Sequence, residues 1–587
     1  MSDVRAMLAK MNISQAGHLP VVAAFCRRIG LADVINNAVP TEMAVDVGTV
    51  VQFMVLDTLS GRSPLYRLER FARSVDTGLL LGRNIPAVAF NDTTLGRTLD
   101  AIYAAGTEQL FSQVAFRAAM SFPLDLGGVV VGDELTTPPK DMQHVHFDTT
   151  SVNVWGDYPL CNEEEGQLQV TNGHSKDQRP DLKQFLVKML CIHHNIPVMG
   201  GCESGNTADK TINNAVLTNL SKYMAKHGLG EGAFVYVADS AMVTPSNLEA
   251  LGDNLFITRL PFSYKEAERV VLDAVREGKW TEVKRKASSA GTRKAAKYRV
   301  CDMAVTVAEK GYRAVVVHSD AHDKRRQKKL ERRLAESRER AEQTLKKARK
   351  VEYFCREDAQ AAAEKLHNEK SLYHSCHCRV EEKVTYARGR PPKNGERTVT
   401  KARYILEGEV VERSDEVARS REASGCFVLL TNTPTEGAMA HSPTDVLMAY
   451  KEQQGIERNF GFLKDPLIVN DIFLKRPDRI EVLGFILLTS LLVWNLMEHV
   501  MRQYLKRTDS TVPGWDRKPT QTPTSFMMTT KFKGVLVVEV DGEWEFTVPL
   551  TSEQQHYVRA LELTEHSLLR KRKTQTTHHQ KLPQEEP

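Results

Sequence analysis

The sequence lacks the features that define several common classes of protein. Its first residues, MSDVRAMLAKMN, do not follow the basic, apolar and small-residue order of a secretion signal, so we expect a cytoplasmic protein. Its nine cysteines, an odd number, are scattered rather than arranged as a disulfide framework, which fits a reducing compartment. The net charge is only +5, so a polyanionic partner would have to bind local clusters of basic residues.

Long apolar runs are also scarce. The longest uncharged run, Val482 to Met497, is shorter than the roughly 20 residues that cross a bilayer, and acidic residues bracket it. We therefore predict a buried helix there and no membrane partner. Hydrophobic residues make up 41% and charged residues 26% of the 587 positions, which is ordinary for folded chains, and the length predicts several domains rather than one core.

Changes in hydrophobic periodicity predict five segments. Helical periodicity fills the first, where Asn91 or Asp92 is expected to cap a helix. The second runs in the order three strands, helix, strand, helix, strand, which resembles a ribonuclease H-like core. The predicted segments are a helical domain over 1–125, the first part of an α/β core over 140–265, an insertion over 266–425, the second part of the core over 426–506, and a C-terminal segment over 507–587 with a hairpin turned at Asp541 and Gly542 and a basic tail.

The predicted insertion contains a dense cluster of basic residues. Residues 323–350 hold thirteen Lys or Arg against five Asp or Glu, with apolar residues near heptad spacing. This pattern fits a solvated coiled-coil arm as well as an arm that faces nucleic acid. Further along, ARGRPPKNG contains Arg388 and Arg390, whose extended Arg-Gly-Arg could enter the minor groove of A·T-rich DNA or form an ordinary basic loop. The His and Cys residues of YHSCHCRV crowd too closely for the usual pairs of zinc ligands.

Two aspartates lie where predicted strands could bring them together. Asp148 lies within the strand HVHFDTTSVNVW, and Asp239 ends the apolar strand AFVYVAD, at the type of strand end where ligands collect in α/β sheets. A third carboxylate, Glu457, lies in a predicted helix. Three carboxylates on two strands and a helix can converge on a pair of divalent cations, which prefer carboxylate oxygen. Asp209, in GNTAD, is the reserve candidate.

The segment YKEQQGIERNFGFLK around Glu457 predicts one short helix with a polar stripe. At about 100° per residue, four polar residues would project within roughly 60° of one another. They are Tyr450, Gln453, Glu457 and Lys464. A neighbouring apolar face would pack on a core, and it comprises Ile456, Phe460 and Leu463. Taken alone, the stripe also fits an ordinary solvated helix edge.

These motifs together resemble one large group of bacterial insertion-sequence transposases with a DDE catalytic triad. In that group the helix carries Tyr, two residues, Arg, three residues, Glu, six residues, Lys. Tyr450, Glu457 and Lys464 match this pattern, whereas Gln453 stands in place of the Arg. The stretches HFDTTS, GHSKDQRPDLKQ, GNTAD and YVADSAM also resemble the group in content and order, and the resemblance spans nearly the whole chain.

The resemblance implies both a site and a reaction. Asp148, Asp239 and Glu457 would hold two Mg²⁺ ions, with Mn²⁺ as an alternative, while Tyr450 and Lys464 would contact phosphates of the transposon end. Gln453 cannot make the charged bidentate contact of an Arg.

The implied partners are double-stranded DNA, as transposon ends and as target, and a second copy of the chain in a homodimer on DNA at the nucleoid. The helical N-terminal domain would recognise the ends, whose cleavage frees 3′ hydroxyls that attack target DNA. Two alternatives are a nuclease on the same core that does not join DNA and an inactive derivative that only binds it.

Overall fold

The computed structural model divides the chain into two compact units. Unit 1 comprises Met1–Phe256 together with Ala449–Pro587, and unit 2 comprises Ile257–Met448. The structure describes residues 12–61, 67–122, 124, 144–156, 158, 167–192, 195–209, 211–212, 234–283, 297–368, 372–386, 388, 395, 397, 399–437, 439–465, 472, 474–540 and 542–570.

The first part of unit 1 is helical, as the periodicity predicts. After strand β1 (Asn12–Gln15) the α-helices are α1 Leu19–Ile29, α2 Leu31–Ala38, α3 Val47–Leu59, α4 Leu68–Ser74, α5 Thr77–Leu81, α6 Asp92–Ala105 and α7 Thr107–Ser121. The predicted cap of α6 is Asn91, whose side chain accepts a hydrogen bond from the Thr94 N–H. Helix α3 is buried along its whole length, so it lies in the centre of the core rather than on the surface.

A sheet with the strand order β4, β3, β2, β5 follows in the same unit. Its strands are β2 His144–Val154, β3 Lys183–Ile192, β4 Ile196–Ser204 and β5 Val235–Ala238, and helix α8 (Pro245–Ala250) and strand β6 (Leu255–Leu260) come next. Strand β3 pairs antiparallel with both β2 and β4, whereas β2 and β5 are parallel. The strand predictions are confirmed here. The helix predicted between β4 and β5 lies almost entirely outside the described residues.

Unit 2 combines an antiparallel sheet with a separate two-stranded ladder. The residues of β6 beyond Phe256 begin a sheet in the order β6, β12, β9, β8, β7, and β10 pairs with β11. The elements are α9 Lys265–Glu277, β7 Thr281–Glu282, β8 Tyr298–Val307, β9 Lys310–Ser319, α10 Asp320–Ala348, α11 Arg356–His367, β10 His374–Tyr386, β11 Val399–Glu412, α12 Ser414–Ser424 and β12 Cys426–Thr431.

The basic segment predicted as a coiled-coil arm is helix α10. Its apolar stripe packs inside unit 2, where Leu330 lies against Tyr373, and Ala341 and Leu345 lie against Cys376. The stripe is therefore buried by the ladder strand β10 and its neighbours. The His and Cys residues of YHSCHCRV lie in β10.

The C-terminal part of unit 1 completes its core. Its elements are α13 Pro443–Glu452, which begins at the end of unit 2, α14 Gln454–Leu463, α15 Pro477–Arg507, β13 Val512–Pro513, β14 Pro519–Thr520, α16 Ser525–Lys531, β15 Leu536–Val540, β16 Glu543–Phe546, α17 Ser552–Ala560 and α18 Glu565–Leu568. Helix α15 packs against β4, α3 and α7. Strand β15 pairs with β1 and with β16, which confirms the predicted hairpin around Gly542, whereas Asp541 lies outside the described residues.

Helix α15 contains the long apolar run. Among the described residues it is the one helix long and apolar enough to cross a membrane by length and composition, and 78% of its most apolar window is buried inside the protein. Burial against a strand and two other helices is what a core helix of a folded protein shows, as the sequence predicts.

Candidate active site

Asp148 and Asp239 lie just beyond the parallel pairing of β2 with β5 in the unit 1 sheet. The parallel register pairs His146 of β2 with Val237 of β5, and each aspartate follows two residues further along its chain. Burial raises the pKa of Asp148 to about 6, and the neighbouring carboxylates of Asp239 and Asp209 also raise it. Burial is likewise the main cause that raises the pKa of Asp239. The carboxylates of Asp148 and Asp239 therefore lie close enough to influence each other electrostatically.

Asp209 and Lys176 complete this cluster. The Thr149 hydroxyl donates a hydrogen bond to Asp209 Oδ1 at 2.7 Å. The Lys176 ammonium donates to the carbonyl and hydroxyl oxygens of Thr149 at 2.7 and 2.6 Å. It also lies 3.6 Å from Asp148 Oδ1 and 3.5 Å from Asp209 Oδ2, so one cation faces two of the carboxylates. Its charge lowers the pKa of Asp148 and partly offsets the effect of burial.

The loop that carries Lys176 makes a second charged contact through its next residue. Asp177 Oδ1 lies 2.5 Å from the Lys464 ammonium, and Asp177 Oδ2 accepts a hydrogen bond from the Asn153 amide at 3.1 Å. The motif GHSKDQRPD is therefore a turn that also contacts the candidate site, and it includes Gln178 at a φ of 59°. From the sequence alone, this motif fits either a structural turn or a loop near the DNA or active site, and the contacts of Lys176 and Asp177 agree with both readings. The sequence feature that indicates such a role is the adjacent pair of opposite charges, Lys176 and Asp177, in a turn between strands.

The segment around Glu457 is two helices, not the single helix predicted. Helix α13 ends at Glu452 and α14 begins at Gln454. At the junction, Gln453 N donates to Tyr450 O and Ile456 N donates to Gln453 O, which are bonds of the tighter three-residue type. Tyr450 and Glu457 therefore belong to different helices and do not share one continuous stripe.

Helix α14 nevertheless packs as its apolar pattern predicts. Ile456, Phe460 and Leu463 are buried in the core of unit 1, while Glu457 is exposed. The helix contacts β2, the strand of Asp148. Gln453 extends this contact, because its amide nitrogen lies 3.5 Å from the carbonyl oxygen of Phe147.

The predicted metal ligands fit a divalent cation in part. Two partly buried carboxylates offer the hard oxygen donors that Mg²⁺ prefers. Within the described part of the chain, however, no group of three or more His, Cys, Asp or Glu side chains is arranged to hold a metal ion. The structure thus brings Asp148 and Asp239 together, but it does not add Glu457 to them as a third ligand.

The remaining predicted DNA contacts are two arginines of the basic segment after β10. Arg388 is an exposed residue between β10 and β11 of unit 2. Arg390 lies outside the described residues. Contact of these two residues with DNA therefore remains a sequence-based prediction.

Comparison with known proteins adds one finding about the N-terminal region. Residues 11–116 match a domain of unknown function, DUF4277. This domain occurs in transposase-like proteins. The match covers helices α1 to α6 and the start of α7. No curated protein matches the chain.

Proposed function

We propose that this protein is a DDE transposase that cleaves DNA at the ends of an insertion sequence and joins the freed 3′ hydroxyls to target DNA. The observation that carries the proposal is that Asp148 and Asp239 both lie just beyond the parallel pairing of β2 with β5 and influence each other electrostatically, because two such carboxylates can bind the cations of phosphodiester chemistry. The N-terminal domain, which occurs in transposase-like proteins, supports the same function.

The topology of the unit 1 sheet supports a ribonuclease H-like core. Three antiparallel strands in sequence are followed by a fourth that lies parallel to the first, which gives the order β4, β3, β2, β5. In chain order, the first of these four strands, β2, contains Asp148, and Asp239 directly follows the fourth, β5. In the sequence, unit 2 comes between these strands and Glu457, as an insertion within the catalytic core would.

The residues have distinct proposed roles. Asp148 and Asp239 would hold Mg²⁺, and Glu457, which does not form a three-ligand group with them in this structure, would be the third ligand; the bound ions would activate a water or a 3′ hydroxyl and stabilise the leaving oxygen. Lys464 and Tyr450 would contact phosphates of the DNA end, Lys464 as a point charge. Gln453 would add a neutral contact. Arg388 and Arg390 would contact DNA from unit 2.

Hydrolysis consumes one phosphodiester and one water, whereas strand transfer breaks one phosphodiester and forms another. Hydrolysis breaks a bond between phosphorus and a 3′ oxygen, which leaves a 3′ hydroxyl on the element. That hydroxyl then attacks a target phosphorus and displaces the target's own 3′ oxygen. We propose that a homodimer performs this reaction on double-stranded DNA in the cytoplasm, since two ends must be held together.

The test is cleavage and strand transfer of a labelled DNA that carries the native element's ends, with Mg²⁺. Asp148→Asn and Glu457→Gln are compared with wild type at equal DNA binding, and Asp181→Asn, an exposed carboxylate of the nearby loop, is the control. We expect both variants to bind DNA but to yield neither product. Activity of Asp148→Asn at the wild-type level would refute the proposal. Cleavage without joining in wild type would favour a nuclease on the same core.

A further inference from the structure

Three asparagines join three elements of unit 1 behind the helix that carries Glu457. The Asn459 amide of α14 donates to the backbone carbonyl of Asn195 at 2.8 Å. The Asn495 amide of α15 donates to the same carbonyl at 2.8 Å and to Asn459 Oδ1 at 3.0 Å. Asn195 lies in the turn between β3 and β4. This asparagine triad therefore connects a sheet turn, α14 and α15.

The triad stands out because its surroundings are apolar. Asn459 is only 4% exposed and lies between Ile456 and Phe460, and Asn495 interrupts the apolar run of α15. Packing of apolar side chains is not directional and tolerates sliding, whereas buried amides must meet partners at fixed positions. A single buried Asn can fix the register of two helices in the same way.

The turn residue is itself held in a specific conformation. Asn195 has a φ of 63°, in the left-handed region that asparagine tolerates better than most residues. Its side chain lies against the backbone of α14, because a Cβ built on Gly455 would lie 1.6 Å from Asn195 Oδ1. Asn195 thus meets α14 at two points: its carbonyl at Asn459 and its side chain at Gly455.

These contacts bear on the proposed active site through the helix. Glu457 and Asn459 are two residues apart and project about 200° from each other, so one faces solvent and the other the core. We propose that Asn459 is a positioning residue, which fixes the rotation of α14 and so sets where Glu457 lies relative to β2. This inference rests on the proposed function, since it assigns Glu457 to the reaction.

The test compares Asn459→Ala with Ser490→Ala. Ser490 is a buried residue of α15 whose hydroxyl donates to the Ile486 carbonyl of the same helix. We expect Asn459→Ala to slow single-turnover cleavage on the order of 10²-fold, because small misplacements of a reacting group have that effect. The Mg²⁺ concentration for half-maximal rate should rise, while DNA affinity stays at the wild-type value. Ser490→Ala should leave the rate and the Mg²⁺ requirement unchanged.

A double variant separates positioning from stability. Asn459→Leu with Asn495→Leu replaces both side-chain amides by apolar groups, which is often nearly neutral for stability, and it leaves the half-buried Asn195 residue as the one whose carbonyl loses its donors. We expect its thermal midpoint to stay near that of wild type while cleavage remains slow. Cleavage that returns to the wild-type rate would overturn the proposal, as would wild-type rate and Mg²⁺ dependence in Asn459→Ala.

A second measurement does not depend on activity. Hydrogen exchange of residues 454–463 should be faster in Asn459→Ala than in wild type or Ser490→Ala, because α14 would no longer be fixed to the turn. Unchanged exchange would overturn the positioning role. If wild type yields no cleavage product, the proposed function fails, and hydrogen exchange alone decides whether Asn459 fixes α14.

Discussion

Lys464 and Asp177 form an ion pair in which Nζ lies 2.5 Å from Oδ1. Lys464 ends the helix of Glu457, and Asp177 follows Lys176 in the loop that faces Asp148. The pair places a negative charge beside a lysine that we propose binds a DNA phosphate. A carboxylate and a phosphate oxygen compete for the same ammonium, so this contact has a measurable effect on DNA affinity.

Asp177→Asn should tighten binding to the element's ends. Removal of the carboxylate leaves the Lys464 charge available to phosphate, and the gain should be on the order of threefold because the pair is partly exposed. The affinity should also fall more steeply with salt, since one more cation contacts the DNA. Binding titrations at several salt concentrations measure both effects. Asp181→Asn, in the same loop, serves as the control, and equal affinities of the two variants would contradict the prediction.

Asp148→Asn should stabilise the protein at neutral pH. Burial raises the pKa of Asp148 from 3.8 to about 6, so the folded chain holds this proton more tightly than the unfolded chain. The protonated Asp148 carboxyl therefore stabilises the folded state fully below about pH 4, and this stabilisation is lost as the pH rises to about 6.

At pH 7.5 we therefore expect Asp148→Asn to raise the free energy of unfolding on the order of 2 kcal/mol, and to lose this advantage near pH 4. Urea denaturation at both pH values measures the difference, with Asp181→Asn as the control. A variant less stable than wild type at pH 7.5 would contradict the assignment of burial as the main cause.

Cleavage should decline as the pH falls through about 6, because a protonated Asp148 cannot serve as an anionic ligand. Lys176→Met should move this decline to higher pH, since the Lys176 charge lowers the pKa of Asp148. The measurement is the pH dependence of the single-turnover rate at saturating DNA. Lys183→Met provides the control, because the Lys183 ammonium donates to the Tyr158 carbonyl instead. A profile that does not move in Lys176→Met would exclude this coupling.

Replacement of two glycines of α14 by alanine should change the stability of the protein in opposite directions. A Cβ at position 455 would lie 1.6 Å from Asn195 Oδ1, whereas a Cβ at 461 meets no atom within 4 Å. Gly455→Ala should therefore cost up to about 1–3 kcal/mol of stability and slow cleavage, because either the Asn195 side chain or α14 must shift. Gly461→Ala should stabilise by up to about 1 kcal/mol through helix propensity. Thermal denaturation and cleavage rates test the pair, and similar effects at both positions would contradict the tight contact at Gly455.

The positions of Asp148 and Asp239 could be predicted because each belongs to an apolar strand with a clear pattern. The core-facing side of α14 could be predicted for the same reason. The break at Gln453 could not, because residues 450–464 contain no proline, and their two glycines, Gly455 and Gly461, weaken a helix without fixing where it would break. The contacts of Lys176 and Asp177 also depend on tertiary structure, since a turn does not specify which strand or helix its side chains meet.

The hydrogen bonds of the asparagine triad also could not be predicted from the sequence. Asn495 within an apolar run was a visible exception to the pattern, but its partners are 36 and 300 residues away in sequence. A single sequence indicates that such a residue needs a hydrogen-bond partner without indicating which one.

The nested arrangement of the units has a consequence for synthesis on the ribosome. The core of unit 1 is completed by α15, which packs on β4, α3 and α7 but is translated only after all of unit 2. Until then the nascent chain has made β4 without α15, the helix that packs on it, and Glu457 has not been added. An interrupted polypeptide would therefore expose apolar strand surface and become a substrate for chaperones or proteases. The proposed site, which includes Glu457, can form only after unit 2 has been translated.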